Sequence, residues 1–467
     1  MGDRRESTQG LQVPSDILDL SDDELRRLGY WVVDRTIEHL ATLRDRPAIS
    51  VASADDLRAA LGGPFPSTGV SLEDTLALLA DVALENQQHG DHPRYFARVP
   101  APAAAAAILG DWLATGMSSV ASSWGGGSGS TMLELTVLEW LRDAVGLAPT
   151  SEGILASGGS LANVTALLTA RHERGPGVAY LADQAHSSIA RGLRTTGWAP
   201  DDIRLLPTDA SYRLDPGTVA QAIGDDLRAG RTPAIVVGTA GTTNTGAVDD
   251  ITGLADVCAQ HGLWLHVDGA YGGPAAMLPN HGGIHGLSRA DSFVLDPHKW
   301  LFQPYDIACV WVAHPGALER TFAMYPEYLR DTDLGEVDLH NRSLELSRRS
   351  RAAKLWVTLR SLGHDAVVAA ISRGVALAQE AQGLIESIPG MSVVTPAQLG
   401  IVTFALDGRD DAEHRAVAAA VTADGVAALT STVLSGRTVL RLCTISPRTT
   451  VDDLRMTMDA VAAYAAS

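Results

Sequence analysis

Short apolar runs alternate with stretches of helical periodicity from about residue 90 onward. Runs with the length and composition of buried strands are Ile154–Ala156, Val178–Leu181, Ala234–Val237, Leu263–Val267, Phe293–Leu295 and Ala308–Val312. Alternation of this kind is typical of crossover units, in which mainly parallel strands form a sheet that helices cover on both faces. The pattern therefore predicts an α/β domain over residues 89–372.

The segment before this domain has a helical pattern instead. Ser21–Glu24 has the spacing of a capping box, and apolar residues follow at helical intervals: Leu25, Leu28, Val32, Ile37 and Leu40. A mostly helical stretch of this length has too little apolar core to fold alone. We therefore expect residues 1–88 to form a helical segment that wraps a partner subunit.

The segment after the α/β domain combines both patterns. Val402, Phe404 and Leu406 alternate as in a half-buried strand, residues 439–443 form a second apolar run, and a helical pattern begins at about Val451. This combination predicts a small α+β domain over residues 373–467.

Composition narrows the class of protein. The formal charge is −19, and the single dense basic cluster is Arg348, Arg349, Arg351 and Lys354, which argues against a nucleic-acid partner. The three cysteines (Cys258, Cys309 and Cys443) are far apart in apolar stretches, so they predict reduced core residues and neither disulfides nor a metal site. No apolar run approaches the roughly 18 residues of a membrane span, and we expect a cytoplasmic protein.

Lysine is almost absent, because 34 of the 36 basic residues are arginine and only Lys299 and Lys354 remain. Arginine replaces lysine on a surface, but its guanidinium stays protonated and cannot attack a carbonyl as a lysine amine can. Lys299 directly follows the predicted strand that ends at Leu295, within Asp296–Trp300. Chance retention is the ordinary explanation, and a nucleophilic lysine at a strand end is the chemical one.

Polar motifs follow other predicted strands. Ser157–Ser160, of sequence Ser-Gly-Gly-Ser, stands between a strand and a helix, where backbone N–H groups and the helix dipole would hold a phosphate; the alternative is a tight turn. His186, the hydroxyls of Gly241–Gly246 and the carboxylate of Asp268 also lie at strand ends. A phosphate site, an acid for a ring nitrogen and a reactive lysine are what pyridoxal 5′-phosphate requires.

The chain resembles the group II pyridoxal-phosphate-dependent amino-acid decarboxylases, the family of aromatic-L-amino-acid and glutamate decarboxylases. The segments that carry the resemblance include His92–Phe96, Thr131–Glu134, Asp183–Ser188, His266–Tyr271, Pro297–Trp300 and Arg348–Arg351. The resemblance implies a fold-type I, aminotransferase-like fold with a mainly parallel seven-stranded sheet. It also implies a homodimer whose active sites lie at the subunit interface.

The same resemblance implies roles for individual residues. Lys299 would bind the cofactor covalently, His186 would stack on its ring, Asp268 would pair with the ring nitrogen and Ala270 would pack on the opposite face. The phosphate would contact Gly159, Ser160 and His298. Thr242 would sit beside the cofactor, although the assignment could equally fall on Thr243.

The sequence departs from the family at the expected lid, Pro326–Ser347. Aromatic decarboxylases have a lid tyrosine that assists protonation, whereas this chain has Leu339 at that place, followed by His340. We hypothesise that His340, from the same or the other subunit, is the acid. Without an acid, reaction with dioxygen would yield an aldehyde instead of an amine.

The expected substrate pocket, Arg94, Tyr95, Ser122 and Trp124, has fewer aromatic rings than in the aromatic decarboxylases. Arg94 could bind an acidic side chain or, as is usual for a loop arginine, form a surface ion pair or an interface contact. The effect of Asp296, often asparagine in the aromatic decarboxylases, is open. The first hypothesis is therefore a decarboxylase of an unspecified L-amino acid. The alternatives are an aldehyde synthase or other carbon–carbon lyase on the same scaffold, and a non-enzymatic α/β protein that binds a small molecule.

Overall fold

The computed structural model describes residues 18–324 and 334–466, so the first part of the expected lid, residues 326–333, lies outside the described residues. The chain divides into two compact units. One comprises residues up to 46 together with 50–87, and the other comprises 47–49 together with 88–467.

The first unit is helical, with α1 (Asp22–Thr42), α2 (Ala54–Leu61) and α3 (Leu72–Leu78). The hydroxyl of Ser21 accepts a hydrogen bond from the Glu24 N–H at 3.2 Å, which is one half of the predicted capping box. The Glu24 carboxylate accepts hydrogen bonds from Arg27. Within α1 only Leu28 is buried, whereas Leu25 and Ile37 are 60% and 57% exposed. The apolar stripe of α1 is thus left largely uncovered within a single chain.

The second unit contains a seven-stranded sheet. Its strands are β1 (Glu152–Ala156), β2 (Val178–Ala182), β3 (Ile203–Leu206), β4 (Pro233–Thr239), β5 (Trp264–Asp268), β6 (Ser292–Leu295) and β7 (Ala308–Val312). The helices of this part are α4 (Ala105–Gly116), α5 (Trp124–Ala144), α6 (Gly159–Arg174), α7 (Ser187–Thr195), α8 (Pro216–Arg228), α9 (Ile251–His261), α10 (Pro297–Trp300) and α11 (Ala317–Phe322).

The strand order is β1-β7-β6-β5-β4-β2-β3, and all pairs are parallel except those made by β7. Because β7 is antiparallel to both neighbours, β1 again runs parallel to β6, and their carboxyl ends reach the same edge. The expected mainly parallel sheet is confirmed. The sequence patterns missed β3, an edge strand in which only Leu206 is buried, so it lacks a continuous apolar run.

Successive side chains of the central strands pack into separate layers. Ile235 and Val237 of β4 belong to one apolar cluster, whereas Val236 between them belongs to the other. Both clusters are buried, since helices cover both faces of the sheet. This explains why these strands are continuous apolar runs without alternation.

A long helix, α12 (Ala352–Ser387), kinks at Gly363, whose φ of 77° favours glycine. It leads to a four-stranded antiparallel sheet of order β10-β11-β9-β8: β8 (Met391–Gln398), β9 (Ile401–Leu406), β10 (Thr430–Leu434) and β11 (Arg437–Cys443). Two helices, α13 (Asp411–Ala423) and α14 (Val451–Ala466), complete this part. The second sheet supports the proposed small domain at 373–467.

Several expectations about single residues can be compared with this fold. All three cysteines are free and buried, as predicted. Of the basic cluster, Arg348 and Lys354 are internal, each with a side chain that is 0% exposed. Across the described ranges, no helix combines the length and the apolar character that crossing a bilayer requires.

Candidate active site

A cavity of about 420 Å³ opens at the carboxyl edge of the seven-stranded sheet. Seven residues that the sequence singled out line it: Gly159, Ser160, His186, Asp268, Ala270, His298 and Lys299. Its wall also includes Ser157, Gly158, Leu161, Asn163, Ser188, Thr239, Gly241, Thr243, Tyr271 and Asp296. The strand-end motifs therefore meet in one place, as expected for the edge of a parallel sheet.

The turn from β1 to α6 forms one end of the cavity. The first backbone N–H groups of a helix have no intrahelical partner, and the helix dipole favours an anion beside them. Gly159 is required here by space, because a Cβ at this position would lie 2.7 Å from Oδ2 of Asp296 and 3.2 Å from Cβ of Ala270. Only glycine leaves the cavity wall open at this turn.

Asp268 ends β5 and is 5% exposed. Its Oδ1 accepts a hydrogen bond from the Ala270 N–H at 3.0 Å, and its Oδ2 accepts one from Nδ2 of Asn163 at 3.2 Å. A buried carboxylate is costly unless donors or cations compensate it. These two donors satisfy the buried carboxylate oxygens and fix the direction of the carboxylate.

His186 is the residue that caps α7. Its Nδ1 lies 2.8 Å from Oγ of Ser188 and accepts the Ser188 N–H at 3.3 Å. Part of the ring is open to the cavity, yet the surrounding protein lowers the pKa of His186 through desolvation, which outweighs the opposing attraction of Asp268. The ring is therefore predominantly neutral at pH 7 and presents its face to the cavity.

Lys299 lies on the one-turn helix α10, and its Nζ is 2.9 Å from Oδ2 of Asp296. Burial by itself lowers the pKa of the amine, but the charge and hydrogen bond of Asp296 together outweigh burial, so the net pKa is raised. The amine is thus protonated and paired until a reaction partner displaces it.

His298 precedes this lysine and is 6% exposed. Its Nδ1 donates to the carbonyl oxygen of Ile307 at 2.7 Å, and its ring centroid is 4.7 Å from that of Tyr305. Burial lowers the pKa of His298 despite the nearby carboxylate of Asp296. The histidine is therefore a neutral group that is held rigidly at the cavity wall.

The sequence left open whether Thr242 or Thr243, in the loop after β4, would lie beside the cofactor. Thr243 lines the cavity, whereas Thr242 is 1% exposed and its hydroxyl lies 2.8 Å from that of Thr245. Thr242 stabilises the loop from within, since its hydroxyl also accepts the Ala247 N–H at 3.2 Å.

Arg94 and Tyr95, expected in the substrate pocket, do not line the cavity of their own chain. The Arg94 guanidinium donates to the Val426 carbonyl at 2.6 Å and lies 3.4 Å from a carboxylate oxygen of Asp453. The Tyr95 hydroxyl donates to Gln88 at 2.8 Å, and its ring is 1% exposed. Arg94 is thus paired inside the protein, and it does not form the surface ion pair that the sequence favoured.

Ser122, Trp124 and His340 form a second group outside the cavity lining. The Ser122 carbonyl accepts hydrogen bonds from the backbone N–H of His340 at 2.8 Å and from its Nδ1 at 3.1 Å. The Trp124 N–H donates to Asp338 at 2.8 Å. These hydrogen bonds connect the described part of the expected lid, residues 334–347, to the start of α5. Leu339, next to His340, is fully buried.

Sequence reasoning missed Asn163 and Arg441 and gave no role to Asp296. Asn163 lies in the second turn of α6, inside a helix, where asparagine has a low propensity. An unfavourable residue at this position was the sequence feature that could have pointed to a role for Asn163. Arg441 interrupts the apolar run of β11 and is only 3% exposed; its Nε donates to the carbonyl of Thr243 at 2.8 Å. A charged residue inside a buried strand was a comparable signal.

Comparisons with known proteins agree with this geometry. The pyridoxal-dependent decarboxylase conserved domain matches residues 65–407. An aromatic-L-amino-acid decarboxylase of Bacillus atrophaeus is 37% identical, with 97% of each chain covered. The crystal structure of Oryza sativa TDC with PLP and tryptamine superposes with a TM-score of 0.91 at 28% identity, covering 96% of this chain and 98% of that one. The crystal structure of Rhodiola rosea 4-hydroxyphenylacetaldehyde synthase superposes with a TM-score of 0.89 at 27% sequence identity, covering 96% of this chain and 99% of that one.

The residues present fit pyridoxal phosphate. The cavity combines a lysine amine, a buried carboxylate held by two N–H donors, and a helix amino end that a glycine leaves open. The fold-type I architecture predicted from the resemblance is confirmed by structural neighbours of the same class. The chain therefore belongs to the pyridoxal-dependent decarboxylase family and is a pyridoxal-phosphate-dependent enzyme that decarboxylates an amino acid.

Proposed function

We propose that Lys299 carries the cofactor and that the surrounding residues hold the cofactor ring. In this proposal the Asp268 carboxylate contacts the ring nitrogen, the His186 ring covers one face and Ala270 packs against the other. The observation that carries the proposal is the single cavity whose wall includes all four residues.

The phosphate of the cofactor, in the same proposal, lies at the amino end of α6. Gly159 and Ser160 offer backbone N–H groups and a hydroxyl there, and His298 borders the same space. Of the two threonines, Thr243 is the one we assign to the cofactor, because it lines the cavity and Thr242 does not.

Bound pyridoxal phosphate supplies an aldehyde that condenses with amines and a conjugated ring that accepts the electron pair left by carbon dioxide. Asp268 holds the proton on the ring nitrogen by opposite-charge stabilisation in a site of low dielectric. The Lys299 amine must lose its proton before it can act as a nucleophile, and Asp296, 2.9 Å away, accepts a hydrogen bond from it. The lysine is thus oriented before the cofactor arrives.

Arg441 is our candidate for positioning the carboxylate of the substrate. Its Nε and Nη1 donate to the carbonyls of Thr243 and Arg98, whereas its Nη2 is buried and has no hydrogen-bond partner among the described residues. An unsatisfied buried guanidinium nitrogen is costly, and an anion beside Thr243 would satisfy it.

We propose an aromatic L-amino acid as the substrate. The pairing of Arg94 with Asp453 removes the feature that favoured an acidic side chain. The similar proteins include an aromatic-L-amino-acid decarboxylase and histidine decarboxylases, whose named substrates share a planar ring. Additional walls of the pocket would come from a second subunit.

The homodimer and the cytoplasmic location are part of the proposal. The exposed apolar stripe of α1 and the exposed Leu109 and Leu113 of α4, 58% and 61% exposed, offer surfaces for a second copy. Three free, buried cysteines suit a reducing compartment.

The test is to incubate purified holoprotein with the common L-amino acids and identify amines by mass spectrometry, after locating the cofactor by borohydride reduction. The mass label should fall on the peptide that contains Lys299 and vanish in Lys299→Ala. Lys354→Arg is the control, because Lys354 is the other lysine, and it is buried with Nζ 3.0 Å from the Pro304 carbonyl. A label on Lys354, or amine production by Lys299→Ala at the normal rate, would refute the assignment.

His340 remains our proposal for the group that delivers the proton replacing carbon dioxide. Its Nδ1 donates to the Ser122 carbonyl oxygen, so Nε2 is the atom that would transfer the proton. The active site that receives this proton would belong to the same or to the other subunit. His340→Ala should lose most amine production, whereas His364→Ala, at an exposed position, should not. Undiminished amine production by His340→Ala would discard the idea.

Aldehyde formation is the second candidate function. Leu339 cannot donate a proton, and the chain is similar to 4-hydroxyphenylacetaldehyde synthase of Rhodiola rosea. In that reaction the amino acid, dioxygen and water give an aldehyde, carbon dioxide, ammonia and hydrogen peroxide. Equal amounts of peroxide, ammonia and carbon dioxide would identify the aldehyde synthase, whereas carbon dioxide with amine alone would identify the decarboxylase.

A further inference from the structure

Asn163 connects the buried carboxylate of the site to a histidine behind it. The side chain lies on α6 and is 1% exposed. Its Oδ1 lies 2.9 Å from Nε2 of His266, and its Nδ2 lies 3.2 Å from Oδ2 of Asp268 and 3.4 Å from Oγ of Ser188. Because Ser188 in turn contacts Nδ1 of His186 at 2.8 Å, one amide joins the two groups proposed to hold the cofactor ring.

We assign the hydrogen-bond directions in this chain starting from its far end, because the roles of the two His266 ring nitrogens depend on the tautomer. The indole N–H of Trp264 can only donate, so Oγ of Ser292 accepts it at 2.8 Å. The Ser292 hydroxyl can then donate to Nδ1 of His266 at 2.9 Å. A neutral His266 that accepts at Nδ1 carries its proton on Nε2, and that N–H donates to Oδ1 of Asn163. The amide is thereby oriented with its N–H₂ group toward Asp268.

Complete burial supports the neutral state of His266, since desolvation lowers its pKa to about 4 even though Asp268 acts in the opposite direction. The ionisable groups that act on this region besides Asp268 are Lys299, Asp296, His186, His266 and, through His186, Arg191. The pKa of His186 and that of His266 are both lowered by burial, so neither histidine adds a positive charge beside Asp268 at pH 7. A flipped amide would place its oxygen against the carboxylate and oppose the charge on Asp268.

We propose that Asn163 is a positioning residue, oriented by the neutral His266, that keeps the Asp268 carboxylate directed at the cofactor ring while it also holds the Ser188–His186 pair. This inference rests on the proposed roles of Asp268 and His186. It also assigns a function to the buried hydrogen bonds that link Trp264, Ser292 and His266, which is to orient the Asn163 amide.

The test compares cofactor affinity, measured by visible absorbance on titration of the cofactor-free protein with pyridoxal phosphate. Asn163→Leu retains the size of the side chain and loses its hydrogen bonds to His266, Asp268 and Ser188, so the Kd should rise by roughly ten- to hundredfold. Thr169→Ala is the matched control, because Thr169 is buried on the same helix and its hydroxyl bonds only the Thr165 carbonyl. It should change the Kd by less than about threefold.

His266 supplies a rescue experiment. His266→Phe removes the donor to Asn163, whereas His266→Gln keeps an N–H group that can reach the amide oxygen, so the glutamine variant should recover most of the affinity that the phenylalanine variant loses. Equal affinity of these two variants, or a Kd of Asn163→Leu equal to that of Thr169→Ala, would overturn the proposal.

A measurement on the cofactor-free protein separates this inference from the proposed function. Nitrogen-15 NMR of labelled histidine should show His266 neutral with its proton on Nε2 at pH 7. A proton on Nδ1 would overturn the inference even if the enzyme binds its cofactor normally. Wild-type protein that takes up no pyridoxal phosphate would overturn the proposed residue roles, and this inference with them.

Discussion

The Nζ atom of Lys299 lies 2.9 Å from Oδ2 of Asp296; Asp296 is the residue directly before α10, and Lys299 lies on this one-turn helix. The other oxygen of Asp296, Oδ1, is buried and has no hydrogen-bond partner among the described residues. The lysine that we propose to bind the cofactor is therefore held by a carboxylate. In this proposal the pair determines when the amine becomes a nucleophile.

Asp296→Asn should accelerate cofactor loading at neutral pH. Removal of the negative charge removes the interactions that raise the pKa of Lys299, so a larger fraction of the amine is neutral at a given pH. The rate of absorbance change after mixing with pyridoxal phosphate should rise severalfold at pH 7, and its rise with pH should begin at lower pH than in the wild type. Asp183→Asn, at an exposed residue outside the cavity lining, is the control. Slower loading by Asp296→Asn would contradict this role.

Gly159→Ala should weaken cofactor binding. The added Cβ would lie 2.7 Å from Oδ2 of Asp296, so the carboxylate or the turn must shift into the space proposed for the phosphate. We expect the Kd for pyridoxal phosphate to rise by about tenfold or more, which corresponds to roughly 1.4 kcal/mol.

The control for this substitution is Gly383→Ala on α12. A Cβ at Gly383 meets nothing within 4 Å, so alanine should leave cofactor affinity unchanged and stabilise the helix by about 0.5–1 kcal/mol. Equal cofactor affinity in the two glycine variants would show that the turn tolerates a side chain.

Glu134→Gln should destabilise the fold strongly. Glu134 and Arg348 form an ion pair of 2.7 Å in which both side chains are 0% exposed, and Arg348 also donates to the carbonyls of Ala121 and Leu155. Removing one charge leaves the other buried without its partner, at a cost of about 3–5 kcal/mol. Urea unfolding at fixed protein concentration measures the change in the free energy of unfolding.

The adjacent arginine is the control for this pair. Arg349 is 42% exposed where it contacts Asp111, so Arg349→Ala should change the free energy of unfolding by no more than about 1 kcal/mol. A double variant with apolar residues at both Glu134 and Arg348 should be more stable than Glu134→Gln alone, because it leaves no unpaired charge. If Glu134→Gln lowers the free energy of unfolding by as little as Arg349→Ala does, the buried ion pair does not stabilise the fold as this geometry indicates.

Asp249 should make stability depend on pH. Burial raises its pKa to about 7, although the N–H groups of Leu214 and Thr239 donate to it at 2.8 and 2.7 Å and act in the opposite direction. In the unfolded chain this carboxyl has its ordinary, lower pKa. The folded protein therefore binds the extra proton between about pH 4 and pH 7, and the stability contributed by that proton is lost as the pH rises through 7.

The measurement for Asp249 is the free energy of unfolding of wild type and Asp249→Asn at pH 5 and pH 7.5. Asparagine does not titrate, so its penalty relative to wild type should be larger at pH 5, by at most about 2.5 kcal/mol. A penalty that grows toward pH 7.5 would show that the two N–H donors outweigh burial.

The sequence predicted the chemistry at the strand ends because that information is local. Each motif directly follows an apolar run, and the carboxyl ends of parallel strands meet at one edge, so Lys299, Asp268 and His186 could be brought together without knowledge of the packing. The same local rule predicted the cap of α1 and the start of α14 at Val451. It failed for β3, whose edge position leaves it without the apolar pattern of a central strand.

The partners of these residues were decided only by the tertiary structure. Asn163 is 105 residues from Asp268, and Arg94 is 359 residues from Asp453, so no short-range pattern connects either pair. The same packing turned Thr243 toward the cavity and Thr242 away from it. The sequence by itself determined the α/β class, the cofactor and the edge of the sheet that binds it, because burial periodicity and strand-end chemistry act over a few residues. Which side chains hold the reactive groups depended on how distant segments pack, because a hydrogen bond or ion pair exists only where the fold brings both atoms within reach.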